Sequence, residues 1–394
     1  MAKLLHYRHR ASGRGPTLRE PAADMSHPDN SIARESTLCL AAVGDLLLAA
    51  GPGNRASREE LERVLADVRP LLADRDIVFG NLECCLPGDG TTVPTEPRVI
   101  TTPKLASAVG AMGFHVVSLA NNHMFDCLEA GFLRMRSLLD AVRVAHFGAG
   151  EDLEEACQPA VLERNGLQIA FLGAVSAQTG PGRMAGPNQA GVAPLDSDRL
   201  TESIRRLRPQ VDHVIVSPHW GEERFMIPSP AQVAQARAWV EAGATMVLGH
   251  HPHVLQGLEI HRGCPILYSL GNFLAADVYY ESGDVLRWNR TERTGCIVLA
   301  DLSKGGVVNV RQVPTFDDGR AVRIDRSGFG ERRIARANRA LARGVTLRRY
   351  RREHLWVKTL RPILSHLRWS GLRALRWGNI RKAVQGIFRA RRAE

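Results

Sequence analysis

The 394-residue chain has no run of 18 consecutive apolar residues; its longest candidate, residues 38–50, is broken by Gly44 and Asp45. A membrane-spanning helix of about 20 residues is therefore not expected. The first 36 residues lack the apolar centre of a secretory signal, so an export signal is not expected either. Cysteine is sparse and poorly spaced: Cys39, Cys84, Cys85, Cys127, Cys157, Cys264 and Cys296 make an odd set of seven with no Cys-x-x-Cys. That argues against a disulfide framework or a zinc ribbon and favours a reducing compartment. Internal repeats and recognised nucleic-acid motifs are missing too. The rest is average for a globular protein, 44% hydrophobic and 24% charged, which excludes wholesale disorder and suits one large domain with appendages or two domains.

Charge is the lopsided quantity. Lys and Arg number 52 against 41 Asp and Glu, a net of +11, an excess that usually suggests nucleic acid or an anionic membrane surface. It is confined to one end: residues 331–394 hold 19 basic and three acidic residues, net +16, leaving the first 330 residues at −5. Residues 1–36, with six basic and four acidic residues among Pro, Gly, Ser and His, read as a disordered leader. In the tail, Leu360, Ile363, Leu364 and Leu367 follow Trp356 as a helical stripe, and Ile380, Val384, Ile387 and Phe388 repeat it, with Arg and Lys between. Pro362 is expected to restart or kink the first helix. Trp356, Trp369 and Trp377 are half of the six tryptophans. Two readings stand side by side: a helix lying in a membrane interface, and a helix packed on the domain with a solvated basic face. Nucleic acid is not an expected partner.

Between these ends, short β-branched runs alternate with helical patterns. Strands are expected at residues 37–44, 77–80, 115–119, 167–173, 211–217, 245–249 and 265–269. Helices are expected at 57–72, opened by the capping-box spacing of Ser57 and Glu60, and at 129–142, 197–207 and 230–242. This alternation predicts an α/β domain with a mostly parallel sheet core over about residues 37–275. Residues 296–302 and 307–313 are expected to close it as an antiparallel pair around Lys304-Gly305-Gly306. The resulting division is a leader at 1–36, a domain at 37–325 and a basic helical tail at 326–394.

Polar, metal-capable residues follow the strand candidates with regularity. Asp45 follows LCLAAVG, Asn81 and Glu83 follow DIVFG, and Asn121, Asn122 and His123 follow HVVSLA. His219 follows HVIVSP, His250, His251 and His253 follow TMVLG, and Asn272 follows LYSLG. In an open α/β sheet the carboxyl ends of strands face the ligand crevice, so these side chains are expected to converge. Any one alone has an ordinary structural explanation, a turn for Gly44-Asp45 or a hydrogen-bonded histidine for His219; their joint placement does not. Asp45, Glu83, Asn122, His219, His251 and His253 form a mixed N/O set without thiolate, suited to Mn, Fe or Zn, and six ligands exceed what one tetrahedral ion needs. His251 and His253 are expected to project to one side of an extended segment stiffened by Pro252.

In order, AVGDLLL, FGNLECCL, SLANNHMFD, VSPHWGEE, LGHHPHVLQGLE and YSLGNFL resemble the capsule-synthesis CapA family, the poly-γ-glutamate synthesis proteins, whose domain resembles calcineurin-like metallophosphoesterases. The resemblance covers about residues 37–280. It implies a four-layer α/β/β/α sandwich, here carrying a basic α-helical C-terminal tail, with a dinuclear site at the strand ends. Asp45, Glu83, Asn122, His219, His251 and His253 are then the metal ligands for two divalent ions, with Asn81, Asn121, His250 and Asn272 as supporting or additional ligands. His123 matches the histidine that contacts the phosphoryl oxygen or protonates the leaving group. Asp126 either orients His123 or caps the helix that follows. Glu222 and Glu223 are either supporting acids or exposed loop carboxylates. The wider phosphoesterase pattern has a histidine where Leu47 stands and a bridging aspartate where Asn81 stands. A neutral amide offsets no cation repulsion, so Glu83 is expected to supply the anionic ligand.

Two functions follow from the resemblance. One is metal-dependent hydrolysis of a phosphoester during synthesis or processing of a capsular or other anionic surface polymer, with His123 and Asp126 catalytic. The other is a non-catalytic metal-binding scaffold or export component of a polymer assembly complex. The expected partners are an anionic polymer or phosphoester substrate and, through the tail, an anionic membrane surface or a synthase subunit. The expected location is cytoplasmic or peripheral to the inner membrane face.

Overall fold

The computed structural model describes residues 5–7, 36–54, 57–180 and 182–364. Two sheets lie face to face. The first runs in the order Leu5–Tyr7, Ala160–Arg164, Leu167–Val175, His213–His219, Met246–Leu248, Cys264–Leu267, Leu258–His261. The second runs Val322–Ile324, Gly306–Asp317, Thr294–Ser303, Thr37–Leu47, Ile77–Leu82, Val116–Ser118, Ala145–Phe147, with Asn272–Ala275 added parallel to the end of Thr37–Leu47. Leu38, Leu40, Ala42, Ile77 and Phe79 of one sheet meet Leu162, Ile169, Phe171, Ile215 and Met246 of the other in one buried cluster. Phe79 stacks on Phe171 at 5.6 Å between ring centroids.

Helices cover both outer faces. Pro103–Ala111 and Leu128–Ala141 bury Leu105, Val109, Phe132 and Met135 against the second sheet. Ser197–Leu207 and Pro230–Ala242 bury Leu200, Ile204 and Trp239 against the first. This is the α/β/β/α sandwich expected. The inner strands are apolar on both faces because one face meets the opposite sheet and the other meets helices.

Several expectations need correction. The helix expected at 57–72 is two, Arg58–Val64 and Arg69–Ala73; Pro70, without an N–H, can start the second but cannot continue the first. The antiparallel pair expected at 296–302 and 307–313 is present as Thr294–Ser303 and Gly306–Asp317, and Thr294–Ser303 also lies beside Thr37–Leu47 inside the second sheet. The unanticipated elements include the helix Pro103–Ala111, the strand Leu258–His261, and the hairpin of Ala160–Arg164 with Leu167–Val175. That hairpin turns on Asn165 and Gly166, both at positive φ (51° and 74°), the two-residue turn that Asn-Gly favours.

At the chain ends, Leu5–Tyr7 pairs parallel with Ala160–Arg164 at the sheet edge. The first part of the tail packs on the domain. Phe329–Ala342 buries Ala337 and Leu341, and its Asn338 accepts from Leu258 N at 2.8 Å. Leu347–His354 continues into a wider π-helical stretch, Leu355–Leu360, just before Pro362. A standard α-turn there would drive the proline ring into the carbonyl four residues back, and the wider turn avoids this. Trp369, Trp377 and the second stripe lie outside the described residues. Among the described residues no helix is long and apolar enough to cross a membrane.

Candidate metal centre

Both sheets deliver side chains to one place. Asp45 sits near the end of Thr37–Leu47, in register with Asn81 on one side and Asn272 on the other. The pairing slips between Ala42 and Asp45, and Gly44 permits it: a Cβ there would lie 1.8 Å from Gly271 O, while Asp45 N donates to that same carbonyl at 3.0 Å. Glu83 follows Ile77–Leu82, and Asn121, Asn122 and His123 follow Val116–Ser118. From the first sheet come His219, the last residue of its strand, and His250, His251 and His253, just past Met246–Leu248.

His251 and His253 reach the centre differently from expected. Their φ angles are 94° and 55°, so the segment is not extended. Two left-handed residues, costly for non-glycines, turn both rings inward to 5.8 Å between centroids.

Within the centre, ligand atoms fall into two groups, Glu83 with His251 and His253, and Asp45 with Glu83 and His219, each spanning no more than 4.8 Å. Glu83 belongs to both. Asp45 and Glu83 are fully buried, and His219, His251 and His253 nearly so. Asn122 Oδ1 lies 2.8 Å from His219 Nε2. Asn272 Oδ1 lies 2.9 Å from His253 Nδ1, so the His253 Nε2 faces Glu83 Oε1 at 3.8 Å. His250 Nδ1 is 3.1 Å from Asp45 Oδ1. Asn81 turns its NH2 group inward, donating to Asp45 Oδ1 at 2.8 Å and Glu83 Oε2 at 3.3 Å, while Asn121 Nδ2 donates to Asn81 Oδ1 at 3.2 Å. As arranged, Asn81 holds two carboxylates rather than offering an oxygen.

The buried ionisable groups of the cluster shift one another strongly. Burial pushes the Glu83 carboxyl up to about 8, and the Asp45 charge adds to it. Burial also opposes the Asp45 charge, yet hydrogen bonds and charge from His250 and His253 hold it well below the usual carboxylate range. Burial opposes a proton on His253, but Glu83 and Asp45 carry it up to about 10. His251 is pushed down to about 3 by burial and the His253 charge, and His219 well down by burial and His251; both are thus neutral imidazoles, the form that can donate a lone pair to a cation. Glu83 Oε1, His250 Nε2 and His251 Nδ1 are buried without a hydrogen-bond partner among the described residues, and Asp45 Oδ2 has the 3.3 Å approach of His253 Nδ1. Carboxylate and imidazole atoms left this way suit a divalent ion and leave an apo centre costly.

His123 and Asn122 stand at the open side, on a cavity of about 220 Å³ also lined by Thr95, Thr179, Arg183 and Glu223. His123 Nδ1 lies 2.8 Å from Asp126 Oδ2, which also accepts from Val99 N at 2.7 Å. Burial disfavours the charged imidazole, but the Asp126 charge outweighs it and raises the His123 pKa. The residue capping Leu128–Ala141 is Cys127, without a side-chain bond, and the Asp126 carboxylate is directed at His123 and Val99 N. Glu223 keeps an exposed side chain at the rim, and Glu222 pairs with Lys358 at 2.8 Å. Two residues not anticipated also border the centre: Trp288, 5.0 Å from the His253 ring, and Glu292, whose carbonyl accepts from Asn272 Nδ2. Neither lies in a recognisable motif.

Residues 39–277 match the family model described as Bacterial capsule synthesis protein PGA_cap. The capsule biosynthesis protein CapA of Bacillus anthracis is 31% identical over 303 residues, 75% of this chain and 70% of that protein. The PGA biosynthesis protein CapA of Bacillus subtilis (strain 168) is 29% identical over 283 residues, 71% and 72% of the two chains. Among solved structures, a putative 5′-nucleotidase from Staphylococcus aureus is 14% identical and covers 72% of this chain and 55% of its own, with a TM-score of 0.45.

Proposed function

The chain belongs to the bacterial capsule synthesis protein PGA_cap family, and from that premise we propose that it hydrolyses a phosphoester while an anionic surface polymer of the poly-γ-glutamate type is made or processed. The observation that supports this most is Glu83, a carboxyl group shared by two sets of candidate ligand atoms where Asn81 turns its NH2 group inward. Asp45, Glu83, Asn122, His219, His251 and His253 would hold two divalent ions of the Mn, Fe or Zn class. Such ions supply Lewis acidity and offset negative charge on a phosphoryl group.

The chain's own contribution starts at His123. Asp126 engages Nδ1 and favours the charged ring, which leaves Nε2 free to give a proton to a leaving oxygen. Arg183 lines the same cavity, and among the described residues its ion pair is a loose 3.9 Å contact with Glu129, so it can grip an anionic substrate group. The 220 Å³ space suits a small headgroup or a chain end better than a large ligand. The test is metal analysis of the purified protein with hydrolysis of aryl phosphates and phosphodiesters, set against Asp45→Ala and His253→Ala. Tight metal binding without hydrolysis of either substrate class across Mn, Co, Zn and Mg would refute the catalytic reading.

The second reading, a non-catalytic metal-binding scaffold or export component, is favoured by Asn81, whose NH2 group bonds one oxygen of each carboxylate instead of offering an anionic bridge. Polymer production that survives Asp45→Ala and His251→Ala unchanged would select it.

A further inference from the structure

Seven large apolar side chains are exposed among the described residues, and five of them lie within 18 consecutive positions of the tail: Leu347 (53%), Leu355 (43%), Trp356 (49%), Leu360 (40%) and Leu364 (47%). Exposed Arg348, Arg351, Arg352, Lys358 and Arg361 are interleaved with them. The opposite side of this helix is engaged. Val357 and Thr359 are buried, Tyr350 and His354 close on the Phe225 ring at 5.4 and 5.8 Å, and Glu353 Oε1 accepts from Met226 N at 3.0 Å. With Lys358 on Glu222, the helix clasps residues 222–226, whose Glu223 lines the rim of the cavity beside His123. Docking face and rim are therefore parts of one packed unit.

We propose that this helix docks on an anionic lipid surface through Leu355, Trp356, Leu360 and Leu364, with its arginines on the headgroups, and holds the mouth of the metal centre beside the membrane. The inference goes beyond hydrolysis and stands whether or not the centre is catalytic. Charge selects the occupant. Residues 365–394 carry eight basic residues and one acid, so this chain's own end, like the same helix of a second copy, meets the basic helix with like charge. An anionic bilayer instead offers both the apolar depth for Trp and Leu and the counter-charge for Arg and Lys.

The experiment is co-sedimentation of the full chain with phosphatidylcholine vesicles, with and without phosphatidylglycerol, at low and high salt. Binding should require phosphatidylglycerol and weaken with salt. The double variant Trp356→Glu, Leu360→Glu should lose at least roughly tenfold in partitioning at an unchanged melting temperature, since both side chains are exposed. A variant that binds as well as the native chain overturns the proposal, as does equal binding to neutral vesicles. A native chain that ignores both vesicles overturns it too, pointing to a protein partner; a dimer dispersed by the substitutions, with no vesicle binding, assigns the face to a second copy.

Discussion

Replacing Glu83 by Gln tests the centre through stability as well as metal binding. In the metal-free protein the Glu83 pKa rises from 4.5 to about 8. The folded state then holds this proton more tightly than the unfolded one, so the group's stabilising effect is complete below about pH 4.5 and fades as pH climbs through 8. At 1.36 kcal/mol per unit, the whole titration is worth on the order of 5 kcal/mol, and about 3 kcal/mol of it is gone by pH 7. The neutral amide has no such titration. In EDTA, urea denaturation at pH 5, 6, 7 and 8 should show native stability falling while the variant's curve is flatter over that range. His253, raised to about 10, adds a decline of the same sign at higher pH. Metal reverses the ordering: an ion present at 100 times its dissociation constant stabilises by about 2.7 kcal/mol, a rise of roughly 5–10 °C in melting temperature for a domain this large. Most of that rise should vanish in the variant, because both ligand groups lose their shared carboxylate. Parallel stability curves together with equal metal shifts would refute the placement of Glu83 between two sites.

Other expectations are more local. Asp126→Asn should lower the His123 pKa and move the basic limb of the pH–rate profile to lower pH with little change in KM; an unmoved limb would separate Asp126 from the chemistry. Gly44→Ala should cost upwards of about 3 kcal/mol and impair metal retention, because the new Cβ meets Gly271 O at 1.8 Å; a soluble variant of native melting temperature would contradict the close approach. Phe225→Ala removes a fully buried ring held between Tyr350 and His354. It should cost about 3–5 kcal/mol and expose the tail to limited proteolysis near residues 345–360, whereas an unaltered cleavage pattern would mean the clasp is held elsewhere.

Local signals made much of the fold legible. Ser197–Leu207 and Pro230–Ala242 lie where expected because Asp196 and Ser229 cap them with short-range hydrogen bonds. Strand positions were readable from apolar runs, but sheet membership was not. A strand buried on both faces has no alternation to say which sheet it joins, so the expected hairpin partner of Thr294–Ser303 was readable but its pairing with Thr37–Leu47 across more than 250 residues was not. The split of Arg58–Val64 from Arg69–Ala73 and the Asn165-Gly166 hairpin had local signals in Pro70 and Asn-Gly, outweighed by the apolar pattern around them.

The +11 net charge divides in the same way. The sequence by itself placed the excess in the tail, but only packing separated a face that grips Phe225, Met226 and Glu222 from one that stays exposed. For the centre, the sequence determined the inventory: which carboxylates, amides and imidazoles follow which strands, and that they suit a divalent ion. The tertiary structure decided that Glu83 stands between two ligand groups, that Asn81 offers hydrogens instead of an oxygen, and that His251 and His253 turn inward on left-handed backbone. Those outcomes depend on distances of a few ångströms between atoms from Asp45 to His253, set when two sheets stack, and no local pattern of residues encodes them.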